Sequence, residues 1–408
     1  MKTSALILTL TLTLAAPSCE KYEISRYYRA LVMGDNTSAD DSLGRDKEFS
    51  DTNLFVSAVL VPETYDWRRD TAYGAVNCEV AFFKNNDLVF SADAGPGTAL
   101  SPNPSTHHII DGHLYTECVT GDETIISMDG EPLYRYTGTE VLRGLLVRPG
   151  EILTLGRQKG GDGFSYRRNG EIIIRQTAGT VFGDFSHPAY GPSGALYEDD
   201  GRVCFCFKDS RYCYKVVDGT VTQQRLSVSA STVADMRVIE SNLYYIAGYT
   251  RATMIFSPQR TMSMPSSMEF SDLKISVADD GSPFLFAETL NPETTIVRPL
   301  ASAAVDGAGV SFDGNNNFVI GKEGSYYAVS NRGGLLRLLK EGGGDIFVRD
   351  SSFFFGRNCV AAKGKTAFLI VNPKEKEFRP FIWHHGEEKE YDISGFLTAM
   401  EVSVNPAS

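Results

Sequence analysis

Cysteine, histidine and acidic residues could carry chemistry in this sequence, and the seven cysteines come first. Cys206 and Cys213 flank a predicted turn at Asp209-Ser210, which would place them opposite each other on neighbouring strands. A disulfide is one interpretation, since opposed Cβ atoms approach within about 4.5–5.5 Å. The other, which we favour, is that strand cysteines are small buried hydrophobic residues. Cys204-x-Cys206 has no second Cys or His pair at the spacing of a zinc site.

The six histidines do not form a metal-binding motif. His107 and His108 are adjacent, and neighbouring residues of a regular strand point to opposite faces, so they cannot chelate one ion. His384 and His385 precede GEEKE, which indicates an exposed loop. We therefore predict no metal site and no cofactor.

Motifs of hydrolytic and phosphate-binding sites are missing from the sequence. It has no Gly-x-Ser-x-Gly elbow and no His-Glu-x-x-His helix, and its glycine-rich stretches 160–163 and 342–345 lack a following Lys-Ser or Lys-Thr. The acidic runs 198–200 and 279–280 precede glycines, which is typical of solvated turns, and they lack the spacing of a calcium loop. No catalytic residue is predicted.

Aromatic and basic residues give the best indication of a binding site. Trp67, Arg68 and Arg69 lie in TYDWRRDTAYG (64–74), a long insertion between two predicted strands. An aromatic ring beside two guanidinium groups could stack on a sugar or anchor a protein contact. The alternative is a tryptophan folded onto its own sheet. Trp383, the other tryptophan, is included among the candidate binding residues.

Composition and charge limit the partners. The chain has 408 residues, of which 42% are hydrophobic and 22% charged, as in ordinary globular proteins. Its formal net charge is −12 and no basic run offsets it, which argues against nucleic acid or an anionic membrane surface as a partner. The 19 tyrosines, 24 phenylalanines and 38 glycines favour many short strands joined by turns.

The amino terminus is typical of an export signal. Residues 2–19 read KTSALILTLTLTLAAPSC, with an apolar part too short to cross a hydrocarbon core of about 30 Å. We predict a signal peptide over 1–18. Cys19, which follows small residues, is similar to the acylated cysteine of a bacterial lipobox, although Ala16 and Pro17 are not the commonest residues there.

Lipidation of Cys19 would be the only attachment to the membrane, and it predicts an outer-membrane lipoprotein on the periplasmic or cell-surface side. An ordinary signal peptide with Cys19 as a bystander is the alternative. Residues 19–53 are polar and acidic over much of their length, which predicts a tether that could include a closure strand at 22–33.

Hairpin signals recur along residues 54–408. The strongest are pairs of Asn, Asp and Gly, the residues that tolerate the positive φ angles of a type I′ turn. They are Asn85-Asn86, Asp129-Gly130, Asn169-Gly170 and Asp218-Gly219, and weaker copies have turns at 258, 299, 331 and 372.

The recurrence predicts the fold class. Each unit offers about four short strands in about 40 residues, which is the signature of a β-propeller blade. We predict an all-β fold, a single β-propeller over 54–408 with eight four-stranded blades, or seven if 268–302 is misread. The ring would be closed by a strand from 19–53 or from 396–404. Two β-sandwiches in series are the alternative.

The hairpins FFKNNDLVF and YRRNGEIII, the strand LYYIAGY and the lipobox-like start resemble uncharacterised propeller lipoproteins of Bacteroides-type bacteria. The resemblance implies architecture and location, and no catalytic residue. We predict a binding or scaffold protein whose partner is an envelope protein or an extracellular glycan. The alternative is a glycan-active hydrolase or lyase, which needs two carboxylates converging from different blades, roughly 5–10 Å apart.

Overall fold

The computed structural model describes residues 52–404 except 64, 68–77, 94–106, 121–122, 184, 186–192, 227, 250–251, 258–260, 265–268, 278–282, 291–292, 303–308, 314–316, 321–325, 333, 341–344, 364–365 and 385. The predicted signal peptide, Cys19 and the predicted tether up to residue 51 lie outside the described residues. Within these residues, 33 strands form eight sheets arranged as the blades of a ring, which confirms the predicted eight-bladed β-propeller.

Blade 1 is built from both ends of the described chain. The carboxy-terminal strand lies innermost and pairs antiparallel with the first strand along its whole length. This confirms that 396–404 contributes the closing strand, whereas 22–33 lies outside the described residues. From the ring axis outward, the strands are β33 (Gly395–Val404), β1 (Thr52–Leu60), β2 (Glu79–Lys84) and β3 (Asp87–Asp93).

Blades 2, 3 and 4 follow in chain order, each a meander whose first strand lies innermost and whose last strand lies on the exposed rim. Blade 2 contains β4 (His107–Ile110), β5 (His113–Thr120), β6 (Glu123–Met128) and β7 (Glu131–Thr137). Blade 3 contains β8 (Glu140–Arg148), β9 (Glu151–Gln158), β10 (Phe164–Arg168) and β11 (Glu171–Gln176). Blade 4 contains β12 (Thr180–Val181), β13 (Tyr197–Asp199), β14 (Arg202–Lys208), β15 (Tyr212–Val217) and β16 (Thr220–Arg225).

Blades 5 to 8 complete the ring. Blade 5 contains β17 (Val233–Ile239), β18 (Asn242–Tyr249), β19 (Ala252–Phe256) and β20 (Thr261–Ser263). Blade 6 contains β21 (Phe270–Val277), β22 (Pro283–Leu290), β23 (Glu293–Pro299) and β24 (Val310–Asp313). Blade 7 contains β25 (Asn317–Ile320), β26 (Tyr326–Arg332), β27 (Leu335–Lys340) and β28 (Asp345–Asp350). Blade 8 contains β29 (Phe353–Lys363), β30 (Thr366–Pro373), β31 (Phe381–His384) and β32 (Glu387–Glu390).

The helical turns in the described chain are single 3-10 turns, at Ala230–Thr232 and Leu300–Ser302. The complete blade formed by β21–β24 shows that 268–302 was a correctly counted repeat.

The strong turn signals of blades 1 to 4 are confirmed, and they share one local structure. In each, the first turn residue has a positive φ of 45–51°, and its side-chain oxygen accepts a hydrogen bond of 2.8–2.9 Å from a backbone N–H of the second strand of that blade. The turn therefore joins the third and fourth strands and also ties them to the second. The pairs are Asn85 with Leu54, Asp129 with Leu114, Asn169 with Ile152, and Asp218 with Val203.

Two of the weaker turn predictions are wrong in position. Residue 331 lies within β26 and residue 372 within β30, and in both blades the hairpin found from sequence joins the second and third strands. Residue 299 ends β23, and residue 258 lies outside the described residues. The error arises because a turn signal can occur at any of a blade's three hairpins.

The innermost strand of blade 4 is interrupted, which the sequence did not indicate. Its two halves, β12 and β13, both pair with β14, and between them the structure describes residues 182–183, 185 and 193–196. On its return the chain bonds the innermost strand of blade 3, with Leu145 N donating to the Ser193 carbonyl (3.2 Å) and Ala195 N to the Arg143 carbonyl (2.8 Å). Blades 3 and 4 are thus linked through the backbone at the ring axis.

Candidate functional site: the ring axis and its aromatic mouth

Trp67 follows β1, near the end of the ring axis where β33 and β29 begin. Its ring lies 5.3 Å from Tyr65 and 5.1 Å from Phe396, measured between centroids, and it is partly buried. Trp67 is therefore folded against its own blade, which was the alternative to a fully exposed binding residue. Part of its surface remains open to solvent. Arg68 and Arg69 lie outside the described residues.

Phe354 extends this cluster into blade 8. Its ring is 5.9 Å from Phe396, and it is partly buried like Trp67, whereas Phe396 is only 4% exposed. We call Tyr65, Trp67, Phe354 and Phe396 the aromatic mouth. They meet there because β33 closes the ring beside both β1 and β29, which brings chain segments about 300 residues apart together.

Trp383 is a core residue, which corrects its place among the binding candidates. It is 5% exposed and packs against Phe347 at 5.3 Å between centroids. It lies on β31, the third strand of blade 8, where alternate side chains face the neighbouring blade. A ligand at the surface cannot reach it.

The predicted juxtaposition of Cys206 and Cys213 is wrong. Lys215 lies opposite Cys206 and Lys208 lies opposite Cys213. The turn is centred one residue further along the chain, on Ser210-Arg211. There the Asp209 N–H donates to the Tyr212 carbonyl (3.0 Å), and the Asp209 carboxylate accepts hydrogen bonds of 2.7 Å from the N–H groups of Arg211 and Tyr212. The register is shifted accordingly.

The three cysteines of blade 4 are buried thiols that form no disulfide. Burial raises the pKa of Cys204 and of Cys213 to about 12, and that of Cys206 further. Because the thiolate is the reactive form of cysteine, these groups are chemically inert near neutral pH. They fill the core, which agrees with the interpretation favoured from sequence.

A hydroxyl and imidazole chain lies between blades 1 and 2. The Thr398 hydroxyl is 2.7 Å from Ser57 Oγ and 3.1 Å from His107 Nδ1, and all three residues are at least 95% buried. Burial, and to a lesser degree the adjacent His108, lowers the pKa of His107 to about 3, so the imidazole is neutral. No carboxylate completes a catalytic triad among the contacts that the described residues make here, and the chain acts as a polar fastener.

The other described histidines are spread over the molecule. The His108 ring lies 3.9 Å from that of Phe185, measured between centroids and tilted by 38°, and His113 Nδ1 is 2.6 Å from the Asp129 carboxylate. His384 is buried against Phe368, which corrects the predicted exposed loop, while His385 lies outside the described residues. In the described part of the chain, no group of three or more His, Cys, Asp or Glu side chains could hold a metal ion.

Side chains of one blade bond backbone N–H groups on the innermost strand of the next. An innermost strand has one edge that no strand of its own blade pairs, and unpaired backbone groups there are costly when buried. The backbone N–H groups donate to side-chain oxygens as follows: Leu142 to Glu117 (2.8 Å), Val238 to Tyr197 (2.6 Å), Ile275 to Asp235 (2.7 Å) and Leu397 to Asn372 (2.8 Å).

Two buried acids come from different blades at the junction of blades 2 and 3. Glu140 is paired with Arg167, with Oε1 3.0 Å from Nη2, and the Arg167 guanidinium lies 4.0 Å above the Tyr136 ring. Burial raises the pKa of Glu117 to about 8, and the charge of Glu140 adds to the rise. The hydrogen bond from the Leu142 N–H acts in the opposite direction and lowers the pKa.

The two acids Glu117 and Glu140 are 4% and 3% exposed. Glu117 bonds the innermost strand of blade 3, and Glu140 is paired with Arg167 of its own blade. They are therefore no support for a hydrolase or lyase.

The junction of blades 4 and 5 also buries an arginine on a tyrosine. The Arg237 guanidinium carbon lies 4.0 Å from the Tyr197 ring centroid, and Arg237 is 7% exposed. Its Nε is buried and has no hydrogen-bond partner. Sequence reasoning missed Tyr197 and Arg237, and no local pattern could have found them, because they are brought together by the ring.

The comparisons with known proteins bear on the fold alone. No known protein family matches the sequence, and no curated protein matches it. The chain is similar to the solved structure of apo AztD from Citrobacter koseri, with a TM-score of 0.50 and 9% identity over 86% of this chain and 98% of that chain. At that identity the similarity shows the architecture and nothing about a ligand.

Weaker similarities reach a protein of unknown function from Bacteroides caccae (TM-score 0.33, 13% identity, 58% of this chain and 93% of that one) and Hsv2 from Kluyvelomyces marxianus (TM-score 0.40, 11% identity, 77% and 93%). Neither carries an argument about function. Among the described residues, no helix has the length and apolar character needed to cross a bilayer.

Proposed function

We propose that the protein is an exported, lipid-anchored β-propeller that binds a glycan of the cell envelope or its surroundings at the aromatic mouth. The observation that carries this is the meeting of Trp67 and Phe354, each partly open to solvent, on a base of Tyr65 and Phe396. Rigid aromatic faces offer a large apolar contact at low entropic cost, which suits the apolar face of a sugar ring.

The test is binding of a panel of envelope and extracellular polysaccharides to the purified chain, measured by calorimetry. We expect Trp67→Ala and Phe354→Ala each to weaken binding about tenfold or more, since an aromatic anchor contributes about 2 kcal/mol or more. Leu88→Ala removes an apolar side chain 57% exposed on the outer strand β3 and serves as the control, with affinity unchanged. Failure of the wild type to bind any glycan, or full affinity in Trp67→Ala with an unchanged thermal midpoint, would contradict the proposal.

A protein ligand is the second candidate, favoured by apolar side chains exposed on the rim. Val89, Ile172, Ile173 and Val221 are each more than 40% exposed on the outermost strands of blades 1, 3 and 4. Crosslinking in native cells followed by mass spectrometry tests it. Enrichment of one stoichiometric envelope protein, with no glycan affinity, would favour this candidate.

Export and anchoring are supported by residues 2–19 and the lipobox-like position of Cys19. We expect Cys19→Ala to move the protein from the membrane fraction to the soluble fraction and to abolish labelling by a fatty-acid analogue. Labelling that persists in Cys19→Ala would show that this cysteine is not the anchor.

A further inference from the structure

Arg237 lies on β17, the innermost strand of blade 5, and is the observation from which this inference starts. The residue is 7% exposed, its Nε is buried with no hydrogen-bond partner, and it forms no ion pair with any described residue. A guanidinium carries five N–H donors and stays charged at any physiological pH. Burying a guanidinium without an anion is costly, so binding an anion would stabilise such a residue.

Arg167, a second buried arginine of this protein, has such a partner in the carboxylate of Glu140. Its guanidinium lies over Tyr136 at 4.0 Å, the distance at which Arg237 lies over Tyr197. Arg167 in addition bonds both carboxylate oxygens of Glu140, at 3.0 and 3.4 Å, and donates to a backbone carbonyl at 3.2 Å. The two stacks are alike, but no carboxylate of the described residues is paired with Arg237.

Tyr197 is a fixed platform for Arg237. Its hydroxyl accepts a hydrogen bond of 2.6 Å from the Val238 N–H and lies 3.7 Å from the Cys206 sulfur. Stacking on a ring held at its far end restricts the rotamers of the arginine before any ligand arrives. Binding to a pre-organised group loses less entropy than binding to a mobile one.

The acidic side chains nearest to this stack along the chain bond backbone groups of neighbouring strands. Asp199 accepts hydrogen bonds from the N–H groups of Glu240 and Ser241, at 2.8 and 2.7 Å, and Asp235 accepts one from Ile275. Neither forms an ion pair with Arg237. Arg237 keeps 7% of its surface exposed.

We propose that Arg237, stacked on Tyr197 at the axis-facing edge of blade 5, binds an oxyanion: a carboxylate or phosphate group that takes the place Glu140 has beside Arg167. The planar fork of the guanidinium fits such a group through two parallel hydrogen bonds. The site is distinct from the aromatic mouth, and it does not depend on the ligand proposed there.

The test uses phosphate, acetate and citrate as probes, at constant ionic strength, with calorimetry and thermal unfolding of the wild type, Arg237→Gln and Arg225→Gln. Arg225 is an exposed arginine on the rim strand β16 and controls for general charge effects. We expect one probe to bind the wild type at one site and to raise its thermal midpoint. Arg237→Gln should lose about tenfold or more in affinity, as expected for a charge-assisted hydrogen bond, while Arg225→Gln is unchanged.

The folding of the variant supplies a second readout. Since Arg237→Gln removes a buried charge that no acid of the described chain neutralises, its thermal midpoint without probe should equal or exceed that of the wild type. If Arg237→Gln does not fold, Arg237→Lys decides, because it keeps the charge but loses the fork and should still lose affinity. No saturable binding of any probe to the wild type, or undiminished affinity in the variant that folds, would overturn the proposal.

Discussion

The junction of blades 2 and 3 and the junction of blades 4 and 5 bury the same pair of side chains, an arginine on a tyrosine, with different surroundings. At the first, Glu140 neutralises Arg167 and the protein's own groups satisfy the guanidinium. At the second, the corresponding place beside Arg237 is taken by no carboxylate of the described chain. Two similar stacks can thus serve a structural role in one place and ligand binding in another, depending on one acidic residue.

The two junctions also fasten the next blade with different acceptors. Glu117 accepts the Leu142 N–H at the first, and the neutral Tyr197 hydroxyl accepts the Val238 N–H at the second. A buried carboxyl titrates where a phenol does not, because burial raises the pKa of Glu117 to about 8 and that of Tyr197 well above 10. The first junction should therefore respond to pH near neutrality, and the second should not.

The largest effect is expected from Glu140→Gln, which makes the first junction like the second. Leaving Arg167 without its buried counterion should lower the free energy of unfolding by about 3–5 kcal/mol, measured by urea denaturation. Glu151→Gln is the control, since its ion pair with Arg168 is partly exposed, and about 1 kcal/mol or less is expected. Equal losses in the two variants would show that the buried pair has no special role.

Glu117 gives a pH-dependent difference. Its carboxyl binds its proton more tightly in the folded state, where its pKa is about 8, than in the unfolded chain, where it has the ordinary value of 4.5. The folded state is thus favoured most below pH 4.5, and this contribution is lost as the pH rises towards 8, by at most about 1.4 kcal/mol per pH unit. Glu117→Gln keeps an acceptor for Leu142 and should remove this loss. Parallel stability curves for wild type and variant between pH 5 and 8 would contradict the assignment.

Tyr197→Phe separates fastening from stacking at the second junction. The ring that supports Arg237 remains, but the Val238 N–H loses its acceptor, so a loss of about 1–3 kcal/mol in the free energy of unfolding is expected. Tyr134→Phe, a partly buried tyrosine whose ring covers the turn glycine Gly170, should change it by about 0.5 kcal/mol or less. If Tyr197→Phe leaves the free energy of unfolding unchanged, the hydroxyl contributes nothing to the stability of the propeller.

The smallest effect concerns the turn that supports Arg167, whose Nη1 donates to the Gly170 carbonyl. Asn169→Gly keeps the positive φ of 48° and loses the side-chain bonds to the Ile152 N–H and the Gly150 carbonyl, so a loss of about 0.5–1.5 kcal/mol in the free energy of unfolding is expected in the same assay. Alanine tolerates positive φ less well than glycine, so the loss of free energy of unfolding in Asn169→Ala should exceed that in Asn169→Gly by about 1 kcal/mol. The reverse order would indicate that the side-chain bond is not what the asparagine provides.

The fold could be predicted from sequence where local signals are strong. Asn169-Gly170 and its three counterparts each encode a type I′ turn, because φ is positive at both central residues. Blades 7 and 8 lack such pairs at the same hairpin, so the predicted turns at 331 and 372 fell inside strands. The number of blades was nevertheless predicted correctly, because each blade contributes one recognisable hairpin about every 40 residues.

The candidate sites could be predicted only in part. Trp67 was found as an aromatic in a long insertion, but its packing on Phe396, and the burial of Trp383, follow from which faces meet across the ring. The register error at Cys206 arose because the turn is centred one residue later than predicted, which moves the partner of Cys206 by two residues, from Cys213 to Lys215.

The sequence alone was enough to establish the repeat, the turn chemistry of the first four blades and the net charge, whereas the export signal at the amino terminus stays a prediction. These depend on neighbours within a few residues, where backbone geometry and side-chain type decide. The tertiary structure was needed to show that β33 closes the ring on β1 and that Ser193 and Ala195 bond the innermost strand of blade 3. It was also needed to show that Glu140 pairs with Arg167, whereas no acid of the described residues pairs with Arg237 on Tyr197. Partners separated by 25 to 341 residues leave no local signal, because closing the ring, and not any segment, sets their distance.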